Sequence, residues 1–129
     1  MKRIFSIFYP NYLIFFIPLQ LRIIIRTNNM RTIIQDLGEN MTVAFEGRFD
    51  TAAASSAERE LQQVFDFAGQ EITLDCARLD YISSSGLRLF LGLLKSTKPK
   101  GIRLFITGMN SDLKQVFAMT GFDSLFEFK

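Results

Sequence analysis

The sequence predicts an α/β fold: a single domain with a mixed β-sheet of about five strands and helices packed on it. Short apolar stretches of strand length recur along the chain, and the first and last of these regions include stretches that alternate apolar and polar residues. Between them lie three stretches with apolar residues at helical spacing. Strands joined by helices favour parallel neighbours, so we expect the order ββαβαβαβ from residue 30 onwards.

The domain is predicted to begin with a strand hairpin. Residues 32–35 form a short strand, "LGEN" at 37–40 is a turn, and "MTVAFEG" is a second strand whose alternating apolar residues indicate one buried face. A helix follows over 49–69, and either Asp50 or Thr51 is suited to cap it.

The middle of the chain contains a strand and a strongly apolar helix. "EITLDC" (71–76) is the strand, and we expect "ARLDYIS" to be a short connection from it. Ser84 or Ser85 then opens a helix that is apolar on most sides, which indicates that it is buried or lies against a partner. "STKPKG" (96–101) is predicted to be a loop.

The last third completes the pattern. "IRLFIT" (102–107) is apolar enough to be a central strand, and "NSDLKQVFAMTG" (110–121) is a short helix with a cap at its start and a glycine after its end. "SLFEF" (124–128) alternates and is predicted to be the final strand.

Residues 1–29 differ from the rest of the chain. They include the apolar stretch "IFSIFYPNYLIFFIPLQLRIII", which is long enough to cross a bilayer but is interrupted by Pro10 and Pro18. Three explanations stay open: translation begins at Met30, the segment is a membrane anchor, or it packs on the domain or on a partner. We therefore divide the chain into an apolar N-terminal extension, 1–29, and a domain, 30–129.

Composition excludes several classes of function. Four of the 15 basic residues and none of the 13 acidic ones lie in residues 1–29, so 30–129 carry a net charge of −2 and no basic stripe for nucleic acid. The absence of histidine removes the usual general base and zinc ligand. The single cysteine, Cys76, cannot form an internal disulfide, which favours a reducing compartment. We expect a cytoplasmic protein that is not an enzyme and holds no metal or cofactor.

The stretch "LDYISSSGLRLFLGLL" places three consecutive serines before the apolar helix, and three roles are open to them. A serine at a helix start caps free N–H groups. A nucleophilic serine needs a base, yet histidine is absent and Lys95 lies about three helical turns from Ser84.

A phosphate acceptor is the third role. A helix N-terminus tolerates a dianion, so the fold would survive a modification that adds about −1.5 to −2 charges. Asp80, and by position also Asp50 and Asp75, would increase the local negative charge, and a docked partner would be repelled. Spacing alone does not choose between capping and phosphate acceptance.

From Met30 onward the sequence resembles a STAS domain and, within that family, the small bacterial anti-sigma factor antagonists. Three stretches carry the resemblance: "FEGRFDTAAA", "ITLDCARLDYISSSGLRLFLGLL" and "GIRLFITGMNSDLKQVFAMTGFDSLFEF". The resemblance implies that the unphosphorylated protein binds an anti-sigma factor that is also an ATP-binding serine kinase. Phosphorylation then releases it, and a phosphatase restores it.

The resemblance also assigns site residues. The phosphoserine of the family lies two residues before Gly86, which makes Ser84 the implied acceptor and Ser85 the second choice. Ser83 stands where many members have an aspartate. Asp50 corresponds to the aspartate that lies beside the phosphoserine in the family. The expected partner-binding residues are Asp50, Ser83, Ser84, Ser85, Gly86 and Arg88.

A second function remains open beside this one. Stand-alone STAS proteins also serve as accessory subunits of membrane lipid-transport ABC complexes, where the hydroxyl at the helix start contacts the ATPase and need not be phosphorylated. A genuine membrane segment in residues 1–29 would favour this alternative. An enzyme is disfavoured, because the sequence has no histidine, no phosphate-binding glycine loop and no metal-ligand cluster.

Overall fold

The computed structural model describes residues 6–9, 12–15, 21–26 and 29–129, so Pro10 and Pro18 lie outside the described residues. The strands are β1 (Ser6–Tyr9), β2 (Tyr12–Phe15), β3 (Leu21–Arg26), β4 (Met30–Asp36), β5 (Asn40–Phe49), β6 (Glu71–Ile82), β7 (Arg103–Thr107) and β8 (Glu127–Phe128). The helices are α1 (Thr51–Glu60), α2 (Gln62–Phe65), α3 (Ser84–Thr97) and α4 (Ser111–Thr120).

The main sheet is mixed and has its strands in the order β3-β4-β5-β6-β7-β8. β3, β4 and β5 are antiparallel neighbours, whereas β5 to β8 are parallel to one another. From β4 onward the order is ββααβαβαβ, which is the predicted order with its first helix divided in two and confirms the α/β class with five strands from residue 30 onward. β3 extends the sheet by a strand from the N-terminal extension, and β1 pairs with β2 in a separate hairpin.

Among residues 29–129, one face of the sheet is buried and the other is half-buried or exposed. A row of side chains that are paired across four strands lies on that face: Ile34, Val43, Leu74 and Ile106. Residues of α1, α3 and α4 belong to the same core cluster, so these helices lie on this face. The strands alternate between buried and half-buried positions, as expected for a sheet that is covered on one side.

The ring of Phe90, on α3, lies at the centre of an aromatic cluster. Its centroid is 5.4 Å from that of Phe45 and 6.0 Å from that of Phe49, both on β5. It is also 6.3 Å from the ring of Phe117 on α4 and 6.5 Å from that of Phe126. These contacts fix α3 against the sheet and against the C-terminal part of the chain.

The predicted connection "ARLDYIS" is wrong for all but its last residue, because β6 continues through residues 77–82. β6 pairs with β5 as far as Phe49 and Ile82, with irregularities in register between Ala44 and Glu46 and between Gly47 and Arg48. These bulges disturb the alternation in the sequence, which is why the strand signal fades while the pairing continues.

Three other boundaries differ from the sequence prediction. The single helix expected over 49–69 is divided into two helices at Leu61, where ψ is −1° and the backbone forms a turn. The second of these helices ends at Phe65, earlier than expected. The loop expected over 96–101 is mostly helical: α3 includes Thr97, and a 3₁₀ turn follows at Lys98–Lys100. The last strand contains only Glu127–Phe128, because Phe122–Ser124 form a 3₁₀ turn.

Replacing Phe90 with alanine is expected to lower the free energy of unfolding by about 3–5 kcal/mol, because the ring is fully buried among four other rings. Urea denaturation followed by circular dichroism measures this change. Met119→Ala is the control, since Met119 is 79% exposed and its truncation is expected to stay within about 0.5 kcal/mol. A loss below about 1 kcal/mol for Phe90→Ala would contradict the central position of this ring.

Candidate functional site

Two helix N-termini lie side by side at the carboxyl edge of the sheet. The last paired residues of β5 and β6 are Phe49 and Ile82, and the Ser83 N–H donates to the Phe49 carbonyl at 2.8 Å. The next residue on each strand is a helix cap: Asp50 caps α1 and Ser83 caps α3. Because the two strands end side by side, Asp50 and Ser83 are neighbours at this edge of the sheet.

The three serines have three different environments. Ser83 is 7% exposed, and its Oγ accepts a hydrogen bond from the Gly86 N–H at 3.2 Å. Ser84 is exposed, and its side chain makes no hydrogen bond within the part of the chain that the structure describes. Ser85 is half-buried and lines a groove between α1 and α3. Capping is thus performed by Ser83, and the Ser84 hydroxyl faces solvent.

Gly86 permits the close approach of α3 to the sheet. A Cβ at this position would lie 2.8 Å from Ile82 Cγ1 and 3.1 Å from Phe49 Cδ1. Because both neighbours are core side chains, a larger residue would push the first turn of α3 outward. The absence of a side chain at Gly86 therefore determines how close the serines lie to the edge of the sheet.

Asp50 is held by hydrogen bonds on both carboxylate oxygens. Oδ1 accepts from the Ala53 N–H at 2.8 Å, and Oδ2 accepts from Asn29 Nδ2 at 3.0 Å. The Ala53 N–H, then Asn29, and to a smaller extent the charge of Arg48, keep the pKa of this carboxyl below its usual range. Asp50 is accordingly an anion at neutral pH, beside the start of α3.

The other two aspartates named from the sequence are placed differently. Asp75 pairs with Ala44 and Thr107 in the middle of the sheet, and its Oδ1 accepts from the Ala77 N–H at 3.0 Å. Ile82 is seven positions further along β6, about 20 Å away, so the expectation that Asp75 lies close to Ser84 is wrong. Asp80 is exposed and lies within β6, where we expected a connecting segment.

A groove between α1 and α3 opens next to the serines and has a volume of about 370 Å³. Its lining residues are Thr51, Ala54, Ser55, Glu58, Ser85, Arg88 and Leu89. Most of these side chains are polar, and they include one acid and one base. A protein segment with both hydrogen-bonding and charged side chains suits such a surface.

A second feature at this edge could not be predicted from the sequence. Arg48 and Tyr81 face each other across β5 and β6, and the guanidinium carbon of Arg48 lies 4.3 Å from the centre of the Tyr81 ring. Arginine and tyrosine are common at protein interfaces, and both side chains are exposed here. The register that joins them depends on the bulge after Gly47, which no local pattern reveals.

Cys76 is fully buried on β6. Burial, with a smaller contribution from the neighbouring Asp75 charge, raises the pKa of its thiol to about 12. The thiol is therefore protonated and unreactive at neutral pH, and Cys76 packs as a small buried hydrophobe.

None of the helices described is both long enough and apolar enough to cross a bilayer. In the described residues, no three side chains of the acidic, histidine or cysteine type come together as a metal-ligand set.

Comparison with known proteins identifies the family. The model of the STAS domain matches residues 31–129. BtrV of Bordetella bronchiseptica, named provisionally as an anti-sigma factor antagonist, is 30% identical over 97 residues, which cover 75% of this chain and 84% of BtrV. The anti-sigma-B factor antagonist of Staphylococcus aureus is 27% identical over 97 residues, which cover 75% of this chain and 88% of that protein.

Solved structures agree in fold. An anti-sigma factor antagonist from Mycobacterium paratuberculosis superimposes with a TM-score of 0.69 at 16% identity, covering 77% of this chain and 84% of the other. The Bacillus cell fate determinant SpoIIAA in its phosphorylated form superimposes with a TM-score of 0.56 at 17% identity, covering 84% of this chain and 90% of that structure. The protein belongs to the STAS domain family, and the fold predicted from its sequence is confirmed.

Two serine substitutions are expected to differ in their effect on stability. Ser83→Ala removes the cap of α3 and should lower the free energy of unfolding by about 1 kcal/mol, whereas Ser84→Ala should stay within about 0.5 kcal/mol. Urea denaturation at neutral pH compares the two variants. Equal losses would contradict the assignment of Ser83 as the cap.

Asp50→Asn is expected to keep the cap of α1, because asparagine caps as well as aspartate does, but to change the pH dependence of stability. The folded-state pKa of Asp50 is lowered, so its charge stabilises the fold at neutral pH, and this contribution disappears as the pH falls through that pKa. The difference in melting temperature between wild type and Asp50→Asn should therefore be largest near pH 7 and shrink below about pH 4. A difference that is the same at all pH values would contradict the lowered pKa.

Proposed function

We propose that this protein is an anti-sigma factor antagonist that binds an anti-sigma factor serine kinase through the carboxyl edge of its sheet and is switched off by phosphorylation of Ser84. One observation carries the proposal: Ser84 presents a free, exposed hydroxyl on the first turn of α3, while the adjacent Ser83 holds the cap. The named relatives support the regulatory role, since they are described as anti-sigma factor antagonists.

The chemical step in this proposal belongs to the kinase. The Ser84 Oγ attacks the γ-phosphorus of ATP, the hydroxyl proton passes to a base of the kinase, and ADP leaves. The antagonist contributes an accessible nucleophile on a rigid turn and remains non-enzymatic. The ATP requirement fits a cytoplasmic site of action.

The fold is suited to accept the phosphate. The first turn of α3 has free N–H groups and the positive end of the helix dipole, both of which stabilise an anion. Ser84 does not hold the cap, so its modification leaves the hydrogen bond between Ser83 and Gly86 in place. SpoIIAA, which shares this fold, has been solved in a phosphorylated form.

The switch is electrostatic. Phosphate adds about −1.5 to −2 charges next to the Asp50 carboxylate, in a domain that already carries a net charge of −2. A kinase surface that packs on a neutral hydroxyl would then face a hydrated dianion, which it cannot bury without a large desolvation cost. The phosphorylated antagonist is therefore released, and a phosphatase returns it to the binding form.

The contact surface consists of exposed or half-buried side chains around the two caps. We assign Asp50, Ser84, Ser85 and Arg88 to it. Ser83 and Gly86, which the sequence also placed among the partner-binding residues, are buried. In this proposal they shape the surface, and the exposed side chains around them make the contacts. Arg48 and Tyr81, which are exposed at the same edge, extend the surface toward the uncovered face of the sheet.

The test uses the purified protein and an anti-sigma factor serine kinase from the same organism, with radiolabelled ATP and mapping of the modified residue. We expect phosphate on Ser84, no incorporation in Ser84→Ala, and normal incorporation in the matched control Ser85→Ala. In a binding assay without ATP, Ser84→Ala should bind the kinase as wild type does, whereas Ser84→Asp should bind at least about 10-fold more weakly.

Two results would contradict the proposal. One is incorporation into Ser84→Ala at the wild-type level, which would place the acceptor elsewhere. The other is equal binding by Ser84→Asp and wild type, which would show that negative charge at this position does not release the partner. Binding to a permease-associated ATPase, with no binding to the kinase, would favour the transport-accessory function.

A further inference from the structure

Arg88 lies four residues after Ser84 on α3, and both side chains are exposed. Residues that are four apart on a helix are neighbours on one face, with Cβ atoms about 5–6 Å apart. Side chains of a helix also tilt toward its N-terminus, so the side chain of Arg88 is long enough and suitably directed to reach the turn that begins with Ser84.

The order of the two residues is the favourable one. An anion that precedes a cation by four residues stabilises a helix more than the reverse arrangement, because both charges then complement the helix dipole. Phosphate on Ser84 would create this order, and Arg88 would be its nearest basic neighbour along α3.

Arg88 is available for such a contact. It makes no ion pair with any residue that the structure describes, although Glu58 lines the same groove. Arg48, the arginine whose charge acts on Asp50, is already stacked on the Tyr81 ring. Arg88 is therefore the cation at this edge whose guanidinium has no other partner within the described chain.

We propose that Arg88 is an intramolecular clamp for the phosphate on Ser84, and that it leaves the groove between α1 and α3 when it binds this phosphate. The inference rests on the proposed function, because it concerns the regulation of the same serine. The guanidinium offers parallel N–H groups that bind two phosphate oxygens at once.

The clamp gives the switch a second component. In the unphosphorylated protein, Arg88 lines the groove and is available to an acidic group of the partner. After phosphorylation the same guanidinium turns back to its own helix. Phosphorylation thus removes the contact between Arg88 and the partner and, at the same time, places a negative charge on Ser84.

The test is a ³¹P NMR titration of the full chain with phosphoserine installed at position 84 during translation. The clamp stabilises the dianion, so the second pKa of the phosphate should be lower in the wild-type background than in Arg88→Gln, by about 0.2 to 0.4 of a unit. Asp50 and Glu58 remain unchanged in both chains, so the difference isolates Arg88. High salt should reduce it.

Two further variants separate a clamp from a general effect of charge. Lys95→Gln removes one positive charge from the exposed side of the same helix, about two turns beyond Arg88, and should leave the phosphate pKa unchanged. Arg88→Lys should restore part of the lowering, because the charge is kept and the two-pronged contact is lost. Circular dichroism melts verify that each chain is folded.

Equal phosphate pKa values in wild type and Arg88→Gln would overturn the clamp, and so would an equal change in Lys95→Gln. The result is independent of the proposed function, because no kinase is used. If no kinase phosphorylates Ser84, the proposed function fails while the titration still reports on Arg88. If the kinase acts and the pKa values are equal, only the clamp fails.

Discussion

The parallel pairing of β5 with β6, carried through to their last residues, is the constraint on which the site depends. The hydrogen bond from the Ser83 N–H to the Phe49 carbonyl is the final link of this pairing, and it brings the starts of α1 and α3 together. Gly86 then lets α3 approach the sheet without a side chain between them. Asp50, Ser84 and the groove between the helices become neighbours only because the two strands end at the same level.

Much of the fold could be predicted from the sequence because its elements are locally encoded. The caps illustrate this: Asp50 precedes an alanine-rich helix, and Asn110 and Gly121 bracket α4 as predicted. The extension of β6 through residues 77–82 could not be predicted, since its two bulges break the alternation and its stability comes from pairing with β5. Boundaries that depend on a neighbouring strand leave little trace in a local pattern.

The site, like the fold, has features that can be predicted from the local sequence and features that depend on tertiary structure. The run of three serines and a glycine marks a helix start, and the family resemblance selects Ser84, but only the structure separates the three hydroxyls. Ser83 is turned inward by its bond to Gly86, and this turns the next residue outward. Arg48 and Tyr81 were missed altogether, because they are 33 positions apart in the chain and meet through a shifted register.

The burial of Phe90 has a consequence for how long a signal lasts. Its ring fixes α3 against β5, α4 and the C-terminal segment, so we expect this helix to keep its position when the proposed phosphate is added to Ser84. A mark that causes no rearrangement is not undone by relaxation of the fold. On the function proposed above, the lifetime of the signal would then be set by the hydrolysis of a phosphoester and by the enzymes that add and remove it.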